Sequence, residues 1–400
     1  MSKRTGNNKF LKEYNESIIL DLIRINRALS KAELSKLTGL SATATGAITA
    51  GLIEKGYIYE TGIGESKGGR RPVLLELKPD SFYSIGIDID YDFINLVLLD
   101  ITGITVCEKV IKMPNQSDFA SVIKRAEDAA AEMLDNYLDD YSQLLGIGFS
   151  IPGLVDIKTR DIVLAPNLGW ENSNVYSALI RFKDVPVFVE NEAMASAICE
   201  NWLGQCQNED NFVCINVKSG IGAGIYTGGR PYRGASGTAG EVGHILVDEN
   251  GPKCGCGSYG CLETVASSKS IVDKAKRLVK QGTVSTLNSL ENADEMTISD
   301  VVDAAAFGDE AARAVIIEAA RYMGIAVSNI VNTINPSKIV LGKEFLKYAD
   351  MAIDTIKGVV SCKALGTPAS RVEIVASEIG EKASAMGAAI IPLKALFKYN

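Results

Sequence analysis

A single histidine, His244, stands among 400 residues. Every mechanism that needs two imidazoles is thereby excluded, histidine-rich metal catalysis included. Cysteine is scarce as well, and eight thiols in a chain of this length do not make the disulfide framework of a small secreted scaffold. No run of about 18 apolar residues occurs, so no helix inserted in a membrane is expected. Met1-Ser2-Lys3-Arg4 leads into a polar segment rather than the apolar core of a signal peptide, and the expected location is the cytoplasm.

What is present is an ordinary globular composition, 46% hydrophobic and 22% charged, in a chain long enough for two or three domains. The net charge of −8 is unevenly spread. Residues 1–80 carry 13 Lys and Arg against 9 Asp and Glu, whereas the remainder carries 28 against 40. A basic front on an acidic body fits a nucleic-acid-binding head joined to a unit that handles small molecules.

In the front, residues 14–29 repeat apolar side chains at helical spacing. Ser30 and Glu33 form a capping-box pattern ahead of a second helix that Gly39 ends, and Ser41 opens a third. Two short strands then flank a glycine-rich basic tip, residues 62–72. Three helices and a hairpin predict a winged helix-turn-helix over residues 1–79. In that motif the third helix would read DNA with Ser41, Thr43, Thr45 and Thr49, and the tip would meet the backbone or minor groove with Arg70 and Arg71. The reading helix holds no Lys or Arg, and a helical protein-interaction module is the competing reading.

After Pro79 the pattern becomes α/β. A first lobe is expected over 80–203 and a second over 204–379, with a last helix in 380–400 packing back on the first; no convincing tandem repeat is present. Within the second lobe His244 is followed by Cys254, Cys256 and Cys261. One imidazole and three thiolates make a closed tetrahedral zinc set, the pattern of a structural site.

Gly240-Glu241-Val242-Gly243-His244 followed by Cys254-Gly255-Cys256-Gly257-Ser258-Tyr259-Gly260-Cys261-Leu262-Glu263 resembles the signature of the ROK family, which holds repressors, open reading frames and sugar kinases. The front segment, with Thr38-Gly39-Leu40-Ser41 and Gly69-Arg70-Arg71-Pro72, is similar to the DNA-binding head of that family's repressor branch, notably xylose-operon repressors. The resemblance implies a two-lobed, actin-like (ribonuclease H-like) fold with a sugar between the lobes, and binding to operator DNA as a homodimer or higher oligomer. It further implies sugar contacts at Gly153, Asn167, Asn191, Glu192, Glu241, His244 and Glu263. These are residue types that pair the hydroxyls of a polyol. Xylose, glucose and N-acetylglucosamine would all suit them.

The kinases of the family resemble one another at an Asp-x-Gly-Gly-Thr turn and at an Asn-Asp-Ala base. Here the first reads Asp88-Ile89-Asp90-Tyr91-Asp92 and the second Asn191-Glu192-Ala193, which leaves Glu192 as a vestige of the base and no catalytic residue. Gly220, Gly222 and Gly224 still resemble a nucleotide-type turn, but Lys343 stands where kinases have a glycine. The expectation is a sugar-responsive regulator, most readily a repressor, without enzymatic activity. An ATP-dependent sugar kinase with an added head, and a module that docks a transport protein, are the alternatives.

Overall fold

The computed structural model describes residues 8–63, 72–113, 118–138, 140–290 and 292–397. The head comprises α1 (Asn8–Asn26), β1 (Ala28–Ser30), α2 (Lys31–Thr38), α3 (Ala42–Glu54), β2 (Ile58–Ile63) and β3 (Val73–Leu77), its strands forming an antiparallel sheet in the order β1-β3-β2. The capping box is complete. Ser30 Oγ accepts the Glu33 N–H at 3.3 Å, and the Glu33 carboxylate accepts the Ser30 N–H at 2.8 Å, an arrangement that contributes about 1 kcal/mol to such a helix start. Arg70 and Arg71 lie outside the described residues.

The first lobe runs through β4 (Tyr83–Ile89), β5 (Phe93–Asp100), β6 (Thr105–Lys112), α4 (Phe119–Leu134), β7 (Leu144–Ile151), a small antiparallel sheet of β8 (Leu154–Asp156), β9 (Asp161–Ala165) and β10 (Trp170–Asn174), then α5 (Val175–Ala178), β11 (Val187–Asn191) and α6 (Glu192–Trp202). The second follows as β12 (Phe212–Val217), β13 (Ile221–Thr227), β14 (Arg230–Tyr232), α7 (Leu262–Ala266), α8 (Ser268–Lys280), α9 (Ile298–Ala306), α10 (Glu310–Ile334), β15 (Lys338–Lys343), α11 (Ala349–Lys363), α12 (Gly366–Ala369), β16 (Glu373–Ala376) and α13 (Ala383–Phe397).

The two main sheets share one plan. Their strand orders are β11-β7-β4-β5-β6 and β14-β13-β12-β15-β16, each an antiparallel trio extended by two parallel strands. The repeat invisible in the sequence is thus a repeat of topology. A strand needs only apolar side chains at its buried positions, so two copies of one plan can share little in residue identity.

Between the sheets lies a pair of helices. α13 packs on β4 and β7, α6 packs on β12 and β13, and the two helices lie against each other. Close approach of α13 depends on glycine: a Cβ at Gly148 would sit 2.0 Å from the Ala388 carbonyl oxygen. α10 is long and apolar enough to cross a membrane by length and composition, yet its Val315, Ile316, Val327 and Val331 are buried in the second lobe's core. Gly148→Ala should therefore lower stability by about 1–3 kcal/mol, since a methyl group on backbone cannot be relieved by a rotamer change. Urea unfolding checks this, and an unchanged midpoint would show that α13 yields without cost.

Candidate functional site

β11 runs directly into α6, and the junction builds one wall of a cleft between the lobes. Asn191 caps α6: its Oδ1 accepts the N–H groups of Ala193 (2.9 Å) and Met194 (3.2 Å), while its Nδ2 donates to the Gly153 carbonyl at 2.8 Å. Gly153, Asn191 and Glu241 line a cleft together with Glu190, Arg233 and Thr238. Arg233 reaches across from the second lobe and grips Glu190 with a fork of two bonds, Nη1 to Oε1 at 2.8 Å and Nη2 to Oε2 at 2.6 Å. Burial disfavours the guanidinium charge, but the Glu190 carboxylate outweighs it and holds Arg233 above its usual range. The sequence reading passes over both residues. The signal for Glu190 was its place directly before Asn191; Arg233 offered only its place in the glycine-rich stretch before Glu241.

The other expected sugar contacts fall around this cleft rather than on it. Asn167 is exposed in the turn Pro166–Leu168 and is not among the lining residues. Glu263 accepts the Ile221 N–H at 3.2 Å, which fixes it beneath the turn that opens β13. Glu241, which does line the cleft, precedes the short turn Val242–His244; burial pushes its carboxyl up, His244 opposes that shift and Glu263 adds to it.

Glu192 is engaged elsewhere. Its Oε1 lies 2.8 Å from the ammonium of Lys343, which also meets Asp88 Oδ2 at 3.1 Å and Ser384 Oγ at 2.5 Å. Lys343 ends β15 with φ +61° and ψ −136°, backbone values that favour glycine, and its side chain is buried. Burial by itself would lower the lysine, yet the carboxylates of Asp88 and Glu192 keep it firmly protonated. Burial would raise Asp88, but Lys343 and the hydroxyls of Ser150 and Ser384 hold it below the usual carboxylate range. Burial pushes Glu192 up, against the pull of Lys343. A second ion pair, Lys218 with Asp90, bridges the same lobes.

Of the nucleotide-type glycines, Gly224 has a packing reason of its own: a Cβ there would stand 2.4 Å from the Ala197 Cβ and 2.5 Å from the Ala193 carbonyl oxygen, both on α6. Gly222 faces Ala193 and Gly220 faces the Glu263 carboxylate.

His244, Cys254, Cys256 and Cys261 converge, with one ligand atom from each lying within 4.8 Å of all the others. His244 Nδ1 is 3.6 Å from Cys254 Sγ, and the Sγ atoms of Cys256 and Cys261 are 3.7 Å apart. Four donors so placed could hold a metal ion.

In the head the structure corrects the reading of α3. Thr45 and Thr49 are fully buried, and Thr49 donates to the Thr45 carbonyl at 2.9 Å, so neither can meet a base. They lie with Leu52 on the stripe that packs into the core, a face that a helix without charge before its last residue, Glu54, does not disclose in sequence. Ser41 caps the helix by accepting the Ala44 N–H at 3.2 Å and remains exposed beside Ala42 and Thr43, and Ala47, Ala50 and Glu54, which the sequence reading omits, are exposed as well.

The family model described as ROK family matches residues 84–395. The chain belongs to the ROK family. It is 34% identical to the xylose repressor of Caldicellulosiruptor bescii over 96% of each chain, and 32% identical to the xylose repressor of Bacillus subtilis over 94% of each. An ROK family transcriptional regulator, described as a homolog of the E. coli MLC protein, shares 29% identity and superimposes over 97% of each chain with a TM-score of 0.84. An ROK family glucokinase from Streptomyces griseus, solved with glucose and AMPPNP, shares 27% identity; it matches 77% of this chain and 98% of its own with a TM-score of 0.67. The expected actin-like α/β fold is the one found.

The ion cluster yields a test of its own. Lys343→Met keeps most of the side-chain volume but leaves two buried carboxylates without their cation, which should destabilise the protein by about 3–5 kcal/mol at pH 7. Without the ammonium, burial raises both carboxyls above their unfolded values, so the variant gains stability as pH falls and they protonate. The wild type should change less, because Lys343 keeps Asp88 below the usual carboxylate range and opposes the upward push of burial on Glu192. Urea unfolding at pH 7 and pH 5 should show the gap between the two proteins narrowing at the lower pH.

Proposed function

We propose that this protein is a sugar-responsive, DNA-binding transcriptional regulator, a repressor of carbohydrate-use genes that acts in the cytoplasm. The observation that carries the reading is the extent of similarity to the xylose repressors, which takes in the head as well as both lobes. The head is read as a winged helix-turn-helix that lays Ser41, Thr43 and Ala47 of α3 in the major groove, where hydroxyl and methyl groups meet base edges and thymine. A dimer would present two heads to two half-sites.

A sugar would lie in the cleft between the lobes. Gly153, Asn191 and Glu241 support this, with Glu190, Arg233 and Thr238 completing the polar lining. Asn191 spends its carbonyl oxygen on capping α6, so only an amide hydrogen is left for a sugar hydroxyl. Lys343 supports a chain without kinase activity, since its ammonium fills the space between Asp88 and Glu192 that a phosphate-bearing ligand and a catalytic base would need.

For the His244, Cys254, Cys256 and Cys261 cluster the metal we propose is zinc in a structural role. Tetrahedral zinc with Zn–S near 2.3 Å and Zn–N near 2.05 Å requires about 3.8 Å between sulfurs and about 3.6 Å between sulfur and nitrogen. The separations of 3.7 and 3.6 Å fit. Such an ion would hold the loop that carries Glu241 and His244.

Two measurements test these readings. Fluorescence anisotropy on duplex DNA from the region upstream of the protein's own gene, at fixed salt, should show nanomolar-range binding that xylose, glucose or N-acetylglucosamine changes at least fivefold. DNA binding that none of them alters would overturn the sugar response. Metal analysis should find about one zinc per chain, lost in Cys256→Ser together with several degrees of melting temperature, and full stability without metal would overturn the structural role.

A further inference from the structure

Helix α6 has the sugar cleft at one end and the head at the other. Its first turn contains Asn191 as the cap, Glu192, and the cleft-lining Met194; its last residue is Trp202. At eleven residues it is about 16 Å long with no break in its course. The Trp202 ring lies edge-on to Phe397 of α13, with ring centroids 5.7 Å apart. Over its face sits the guanidinium of Arg24 from α1, 4.3 Å from the ring centroid, and the same guanidinium is 5.9 Å from Phe397. Asp21, one turn back on α1, accepts the Arg24 Nε–H at 2.9 Å and so aims the guanidinium.

This contact is continuous with the core. Ile19, Leu20 and Ile23 of α1 belong to the same buried apolar cluster as Ile198 and Trp202 of α6 and Leu393 and Phe397 of α13. Along its length α6 is confined on both sides, by α13 above the first sheet and by β12 and β13 of the second. Gly224 brings β13 so close to α6 that the helix cannot shift without the second lobe shifting too. The N-terminal end is held across the lobes as well, because Glu190, the residue before the cap, is clamped by Arg233.

Resting on the reading of the cleft as a sugar site, we infer that α6 is the lever between sugar and DNA, and that Arg24 stacked on Trp202 is the joint through which it moves the head. A ligand that draws Arg233 and Glu190 together, or pries them apart, reorients the β11–α6 junction. The helix is a rigid body, so the displacement reappears at Trp202, and the Arg24 side chain passes it to α1 rather than letting the head slide on an apolar surface. Coupling of this kind is a differential affinity of the sugar for two arrangements of one element. It needs no nucleotide.

The test uses the full-length protein and the same upstream duplex. Arg24→Ala removes the stacked cation on a helix assigned no DNA contact, and Arg24→Lys keeps the charge but loses the planar stack. For Arg24→Ala we expect sugar affinity within about twofold of wild type, DNA affinity that no longer depends on sugar, and by reciprocity sugar affinity that no longer depends on DNA. Arg24→Lys should fall between. An Arg24→Ala protein whose DNA affinity responds to sugar by the wild-type factor overturns the joint. A wild-type protein that binds DNA without any sugar response overturns the underlying sugar reading instead, so the two failures are distinct. A readout without DNA is available because the chain has two tryptophans. In Trp170→Phe the emission of Trp202 should shift when the effective sugar is added, and the shift should shrink when Arg24→Ala is added; an emission unmoved by a sugar that does bind would overturn the lever.

Discussion

A charge buried between two lobes constrains everything around it. The Lys343 ammonium is held by Asp88 and Ser384 of the first lobe's layer and by Glu192 at the start of α6, so it joins three elements that the chain visits far apart. Its removal from water costs several kcal/mol, and only carboxylates and a hydroxyl already in place offset that cost. The lobes therefore cannot separate freely without exposing or orphaning an ion. Lys218 with Asp90 adds a second bridge of the same sign, and Arg233 with Glu190 a third at the mouth of the cleft. Three cations of the second lobe meet four anions of the first, and this alignment ties the opening of the cleft to the geometry of the hinge.

The helix pair α6 and α13 is the mechanical counterpart of that electrostatic seam. Two sheets of one topology face each other across it, and glycines on both sides let the backbones approach more closely than any side chain would permit. Such packing is stiff, because interiors at crystal-like density transmit displacement rather than absorb it. The head is not hung on a linker. Its first helix shares an apolar cluster with the hinge helices, which makes movement at the cleft and movement of the head parts of one mechanical problem.

Much of this was legible in the chain. The helix starts at Ser30 and Ser41, the alternation after residue 80 and the single histidine beside three cysteines each follow from local rules: a cap needs a hydroxyl at one position, a strand a period of two, and a metal set four donors within a short loop. The family motifs carried the fold. The reading of α3 failed at Thr45 and Thr49 for a definable reason. Threonine is equally at home on a buried or an exposed helix face, and with no charge on the helix before Glu54 at its end, little in its sequence marked which stripe would turn inward. Glu190 and Arg233 were missed for another reason, since they lie 43 positions apart and become partners only when the lobes meet.

The sequence by itself determined the kinds of element, the order in which they come, the set of four donors that could hold a metal and the family. It also marked Lys343 as a residue out of place, though not what it does there. Only the tertiary structure decided that this lysine lies inside, what neutralises it, that one plan is built twice, and that a single helix runs from the cleft to Trp202 under Arg24. The division is physical. Caps, strands and short metal loops are settled by interactions within a few residues, whereas an ion pair between lobes or a cation on a ring is settled by which surfaces the packed core leaves facing each other.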